Sequence, residues 1–288
     1  MDIGDYYSRA FKGFTENPKL AIPTLFEQIF LLIITFLAMA LLFFSVIGPE
    51  FLTTGKIHAN STDPIALIVP IILFSITVMI SSWIIGSYVS AATVGMSKSA
   101  INGERPDLSL GFRNGNKHFL KIMAVSLIIG LILLFFTIPI LIGFFVDYTY
   151  GITPILTLIG ALLSLILWLV TMVLFMFTSQ SIVVCGESVI GSLKDSFRVL
   201  RENIFDVIIV LIINIIIALC VGFVFGIINM ALSLVPIVGY LLSIILQVIL
   251  ACIINPFFVL VLTYVYMDKK GLIHPHLENP EHIPEPIN

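Results

Sequence analysis

The chain has 288 residues, of which 59% are hydrophobic and only 11% charged, with a formal net charge of −3. Soluble domains carry about 25% charged residues, so this composition, with a mean hydropathy of +1.14, argues against a soluble globular protein and for an integral membrane one. A helix needs roughly 20 apolar residues to cross a hydrocarbon core of about 30 Å. Six stretches qualify, at about 20–47, 65–96, 119–146, 154–184, 204–234 and 238–267.

The chain opens on a charged segment, RAFKGFTEN at 9–17, that returns as DSFRVLREN at 195–203. As helices, Tyr7, Phe11 and Phe14 share one face and Leu193, Phe197 and Leu200 another, with Arg9, Lys12, Lys194, Arg198 and Arg201 on polar sides. Short amphipathic helices with basic faces suit the headgroup layer. Asn17-Pro18 reads as an N-cap with proline at the first helical position, introducing span one. The small-residue motif AMA at 38–40 resembles a signal cleavage site, but the apolar run is too long and continues beyond it, so a retained helix is expected.

Glu27 is the clear ionisable residue inside a span, which makes it a functional candidate. It could serve a proton or cation with Gln28 and the amides Asn214, Gln247 and Asn255 as polar neighbours. Alternatively, Thr24 and Glu27, just after Pro23, form a capping box that restarts the helix. No Lys, Arg or His lies deep within a span to pair with Glu27, and the cap is the preferred reading. The loop after span one holds Lys56 and the glycosylation sequon Asn60-Ser61-Thr62, a triplet that short polar loops also produce by chance. Asp63-Pro64 and Thr153-Pro154 repeat the helix-start signal for spans two and four.

Before span three, Leu108, Phe112 and Arg113 repeat the pattern of Leu193, Phe197 and Arg198, although Asn114-Gly115-Asn116 should interrupt a helix there. The copies precede spans one, three and five. The expected fold is therefore all-α: one six-span membrane domain over 1–270, built as three transmembrane hairpins, each led by a short cytoplasmic interfacial helix. Residues 271–288 read as a disordered, Pro-rich, acidic tail; His274, His276 and His282 could in principle hold a metal, but disorder is the preferred reading. The shared Glu-Asn at 16–17 and 202–203 favours repetition over convergence, and Asn203 with Asp206 resembles a capping pair for span five.

Lipid gives helices no hydrophobic reason to associate, so small residues mark their contacts. Span five carries Asn214, Ala218, Gly222 and Gly226 at fourfold spacing, and span six carries Gly239, Ser243, Gln247, Ala251 and Asn255. These stripes are expected to face each other. Cys185, Cys220 and Cys252 show neither disulfide nor metal-site spacing and read as buried apolar thiols.

Of the 14 Lys and Arg residues, all but Lys56 flank the spans on the side where the chain begins, which places both termini in the cytoplasm. CGESVIGSLKDSFRVLREN at 185–203 resembles a family of prokaryotic six-helix membrane proteins that includes the integral-membrane domain of some glycerophosphoryl diester phosphodiesterases. Glu187, Gly191, Ser196 and Phe197 stand at the family's motif positions, with Phe197 where tryptophan is frequent. NPKLAIP at 17–23 and YVYMDKK at 264–270 resemble the family's first-span start and last-span exit. The resemblance implies the six-span fold in a prokaryotic cell membrane and no assigned activity. Nothing here corresponds to the phosphodiesterase barrel, so that reaction is not carried over.

No catalytic, cofactor or metal motif is present, and no nucleic-acid partner is expected. The leading expectation is a non-enzymatic membrane protein that offers Arg9, Lys12, Arg113, Lys194, Arg198 and Arg201 to anionic lipid or to a cytoplasmic protein partner. A small-solute or lipid transporter using Glu27 and the span-five and span-six amides is the alternative.

Overall fold

The computed structural model describes residues 2–47, 64–151 and 154–273. Lys56, the Asn60 sequon, Asp63, Thr153 and the tail with His274, His276 and His282 lie outside the described residues. Every regular element among the described residues is helical. They are α1 (Ile3–Glu16), a 3-10 turn (Pro18–Ala21), α2 (Ile22–Ile47), α3 (Pro64–Ile101), α4 (Leu108–Phe135), α5 (Ile138–Tyr150), α6 (Ile155–Leu174), α7 (Thr178–Cys185), α8 (Val189–Glu202), α9 (Ile204–Leu232) and α10 (Val238–Lys269). Six segments are long and apolar enough to cross a membrane: the turn with α2, α3, α4 with α5, α6 with α7, α9 and α10.

Segment 108–117 is no separate helix. It forms the first turns of α4, and Asn114-Gly115-Asn116 does not interrupt them. Packing overrides propensity here, because a Cβ on Gly115 would stand 2.6 Å from the Tyr88 ring. The bare backbone lets that ring lie on the helix. Gly111 admits the Met96 sulfur in the same way, and α3 and α4 make the most extensive contact among the described helices.

Spans three and four are each broken, which periodicity did not reveal. At Pro139 the Thr137 N–H turns to Leu134 O, leaving Leu133 O without its helical donor. Trp168 Nε1 and the Thr137 hydroxyl both donate to Leu133 O, each at 3.0 Å. At the second break the Thr178 N–H turns to Phe175 O. The Ser196 hydroxyl then donates to Leu174 O at 2.8 Å and accepts from the Phe177 N–H at 3.2 Å. Leu133 O, Leu174 O and the Phe177 N–H thus find partners, as the bilayer interior requires.

The close helix contacts fall at glycines other than those expected. Gly143 and Gly160 bring α5 and α6 together, a Cβ on Gly160 lying 2.3 Å from Pro139 O. Asp147 caps α6 from ten residues upstream, accepting from both the Thr157 N–H and its hydroxyl at 2.7 Å. Gly222 and Gly226, a GxxxG pair within the expected fourfold stripe, are exposed with nothing near them, contrary to that stripe's expected contact. Half-buried Ile217, Val221, Phe225 and Asn229 form the α9 stripe instead, and α9 meets α10 near their joining turn. There Gly239 rests on Leu232 O and the Ser243 hydroxyl donates to Asn229. The cysteines are not buried thiols: Cys185 and Cys220 are exposed and Cys252 is half-buried.

Candidate functional site

The segments around Phe11, Phe112 and Phe197 place the same three residue types in the same environments. A small residue is buried in each: Ala10, Gly111 and Ser196. A phenylalanine follows it outward, with Phe11 at 65%, Phe112 at 46% and Phe197 at 47% exposure. An exposed basic residue comes next: Lys12, Arg113 and Arg198. Lys194 and Arg201 are exposed as well, and Arg9 is half-buried.

The buried faces differ from those the spacing predicted. In α1 the core-facing residues are Tyr6 and Ala10, while Tyr7 and Phe14 are half-buried and Phe11 points away. In α8 they are Ser192, Asp195, Ser196, Val199 and Leu200, and Phe197 points away. Ala10, Ser192 and Ser196 allow these helices to dock closely on the bundle, and the Phe11 and Phe197 rings are turned outward. Glu16-Asn17 and Glu202-Asn203 have a local explanation that also differs from prediction. Asn17 and Asn203 donate their side-chain amides back to Gly13 O and Val199 O, closing α1 and α8 in the same way. Neither side chain caps the following helix, and Asp206 pairs with Lys269 instead of Asn203.

The end of α10 holds this region together. Tyr6 of α1 donates to Asp268 at 2.5 Å, and Lys269 reaches Asp206 of α9 at 2.5 Å. Asp195 of α8 is buried; it accepts from the Tyr266 hydroxyl at 2.6 Å and the Ser181 hydroxyl at 2.9 Å, and pairs with Lys270. Burial alone would lift the Asp195 carboxyl, but the Lys270 ammonium and the two hydroxyls outweigh it and hold the group below its ordinary 3.8. Burial pushes Tyr7 up to about 12; its hydroxyl lies 3.0 Å from both Val210 O and Asn214 Oδ1. Lys98 donates to Val184 O, and Lys121 to the carbonyls of Gly186 and Glu187, so two of the basic residues close the C-terminal end of α7. Asp195, Tyr266 and Lys270 were not anticipated. The one signal for them was the charged YVYMDKK directly after an apolar run.

The polar intramembrane site expected from Glu27, Gln28, Asn214, Gln247 and Asn255 is not assembled. Asn214 is held by Tyr7, whereas Gln247 and Asn255 are exposed on α10. Gln28 is half-buried, and Glu27 lies against Gly86 of α3. The capping box fails too: α2 begins at Ile22, directly continuous with the 3-10 turn, so Thr24 is already inside a helix and buried. Among the described residues no group of His, Cys, Asp and Glu is arranged to hold a metal.

A family model described as a domain of unknown function, DUF7847, matches residues 1–268. No curated protein and no solved structure matches the chain.

Proposed function

The chain belongs to the family described as a domain of unknown function, DUF7847, and from its own geometry we propose a non-enzymatic multi-pass membrane protein whose basic end engages anionic lipid headgroups. In this reading the six spans form three hairpins related by repetition, each led by a basic amphipathic segment on the cytoplasmic face of a prokaryotic cell membrane. The plan is that of the six-helix family containing the membrane domain of some glycerophosphoryl diester phosphodiesterases. The same face would receive a cytoplasmic protein partner.

One observation carries the proposal: the thrice-repeated order of buried small residue, exposed phenylalanine and exposed cation. A ring flanked by a cation is the chemistry of the bilayer interface, with apolar area for the acyl boundary and charge for the headgroups. Each cation near an anionic surface contributes about 1 kcal/mol. Lys12 remains available for this, since its contact with Glu16 is 3.9 Å long between side chains 77% and 60% exposed. Asn214 is engaged by Tyr7 while Gln247 and Asn255 are exposed, which supports this reading over transport through a shared polar site.

The test is thermal unfolding of the purified protein in nonionic detergent with added phosphatidylglycerol or phosphatidylcholine. Phosphatidylglycerol should raise the Tm of the wild type more than phosphatidylcholine does. The triple variant Lys12→Gln, Arg113→Gln, Arg198→Gln should lose that difference. A triple variant that keeps all of it contradicts the proposal.

A further inference from the structure

A groove of about 490 Å³ lies between α2, α3 and the start of α4, within the usual range for small-molecule sites. Five aromatic rings, Phe26, Phe30, Tyr88, Phe112 and Phe119, line it together with one charged group, Glu27. The rings stand in two tilted pairs, Phe26 with Phe112 and Tyr88 with Phe119, each with centroids 6.2 Å apart. Tyr88 is fixed from two sides. Its ring rests on the bare backbone of Gly115, and its hydroxyl lies 3.1 Å from Asn116 Oδ1 and 3.3 Å from Phe112 O. Glu27 Oε1 reaches to 3.3 Å from the place a Cβ on Gly86 would occupy, so the missing side chain leaves room for the carboxylate.

No hydrogen bond or ion pair engages the Glu27 side chain among the described residues, and no Lys, Arg or His lines the groove. A carboxyl group in an apolar wall either stays protonated or calls for a counter-charge, and among the described residues none is supplied. The faces of aromatic rings attract cations as well, most strongly when desolvated. Phe26, Phe30 and Phe112 are each about half exposed, so the groove opens outward toward the hydrocarbon rather than into the bundle.

We propose that this groove binds an amphiphilic organic cation, with its ammonium between the Glu27 carboxylate and the surrounding rings and its hydrocarbon part along Ile84 and Ile85. A neutral lipid chain would satisfy the rings and leave the carboxylate without a partner. A small inorganic cation would satisfy the carboxylate and waste the rings. The alkylammonium uses both features, and its hydrocarbon part suits entry from the bilayer side.

The experiment is equilibrium dialysis of the full chain in nonionic detergent with radiolabelled dodecyltrimethylammonium, using uncharged dodecanol of the same chain length as the comparison. The wild type should bind the cation saturably and bind dodecanol at least tenfold more weakly. Glu27→Gln should weaken cation binding at least tenfold and leave dodecanol unchanged. Phe30→Ala, at a residue 54% exposed and so dispensable for folding, should weaken the cation by about threefold. Absence of saturable cation binding overturns the proposal. So does equal affinity for dodecanol, which would make this a groove for acyl chains, and so does Glu27→Gln binding that matches the wild type in a variant with a wild-type melting curve.

Discussion

At the basic end of the bundle, α10 finishes in a run of polar side chains that grip α1, α8 and α9 through Asp268, Asp195 and Asp206. At the opposite end the helices meet by backbone approach. Gly143 and Gly160 let α5 and α6 touch, Gly239 lets α10 touch Leu232 O, and beyond Asn214 no side chain of α9 is buried. The difference follows from where each contact sits. A charged network is worth assembling only at the edge of the hydrocarbon, where its members can be hydrated before folding. Where helices meet among apolar side chains, as at Gly143, Gly160 and Gly239, close van der Waals contact at small residues is the available means.

The comparison can be broken most severely at Asp195. Replacing it with alanine strands Lys270 and two hydroxyls, and loss of one partner of a buried pair costs about 3–5 kcal/mol. Asp206→Ala removes a pair whose carboxylate side is 42% exposed and should cost less than about 1 kcal/mol. Thermal unfolding of the two variants side by side checks the contrast; equal losses would show that the clasp does not depend on burial. The same carboxylate sets an acid limit. Because its folded value lies below 3.8, its contribution is complete above that pH and is lost as the pH falls through the folded value. The melting curve of the wild type should therefore fall toward that of Asp195→Asn on acidification below pH 3.8, while the variant shows no such dependence from this site.

A smaller effect is expected at the opposite end. Gly160→Ala drives a methyl to 2.3 Å from Pro139 O, a backbone atom that cannot step aside, and overpacking of this kind costs about 1–3 kcal/mol. The smallest effect separates true contact glycines from decoys. Gly222→Ala meets nothing within 4 Å and should leave the stability unchanged or raise it by up to about 1 kcal/mol of helix propensity, read as a Tm no lower than that of the wild type. A marked loss at Gly222 would restore the GxxxG contact between α9 and α10.

What the sequence disclosed follows the same division. The six apolar runs were visible because length and composition alone decide them, and the two Glu-Asn endings marked real helix ends at Asn17 and Asn203. Which face of each helix turns inward was not visible. In lipid both the core and the surroundings are apolar, so Phe11 and Phe197 satisfy the same spacing rule whether they face inward or outward, and here they face outward. The breaks at 136–137 and 175–177 were hidden because their repairs come from Trp168 and Ser196, distant in the chain. Glu27 illustrates the limit on sites. Its isolation from cations was readable, but the rings around it come from three helices whose rotation no local pattern determines.

The most direct measurement is the sidedness of the repeated cations. In a chain whose three cysteines are replaced by serine, single substitutions Lys12→Cys, Arg113→Cys and Arg198→Cys are exposed to a membrane-impermeant maleimide in oriented vesicles, with Leu234→Cys, 81% exposed in the α9–α10 turn, as the opposite reference. All three cation positions should react from one face and Leu234→Cys from the other. Reaction of Arg198→Cys from the face opposite Lys12→Cys would contradict the common basic surface and the lipid contact built on it.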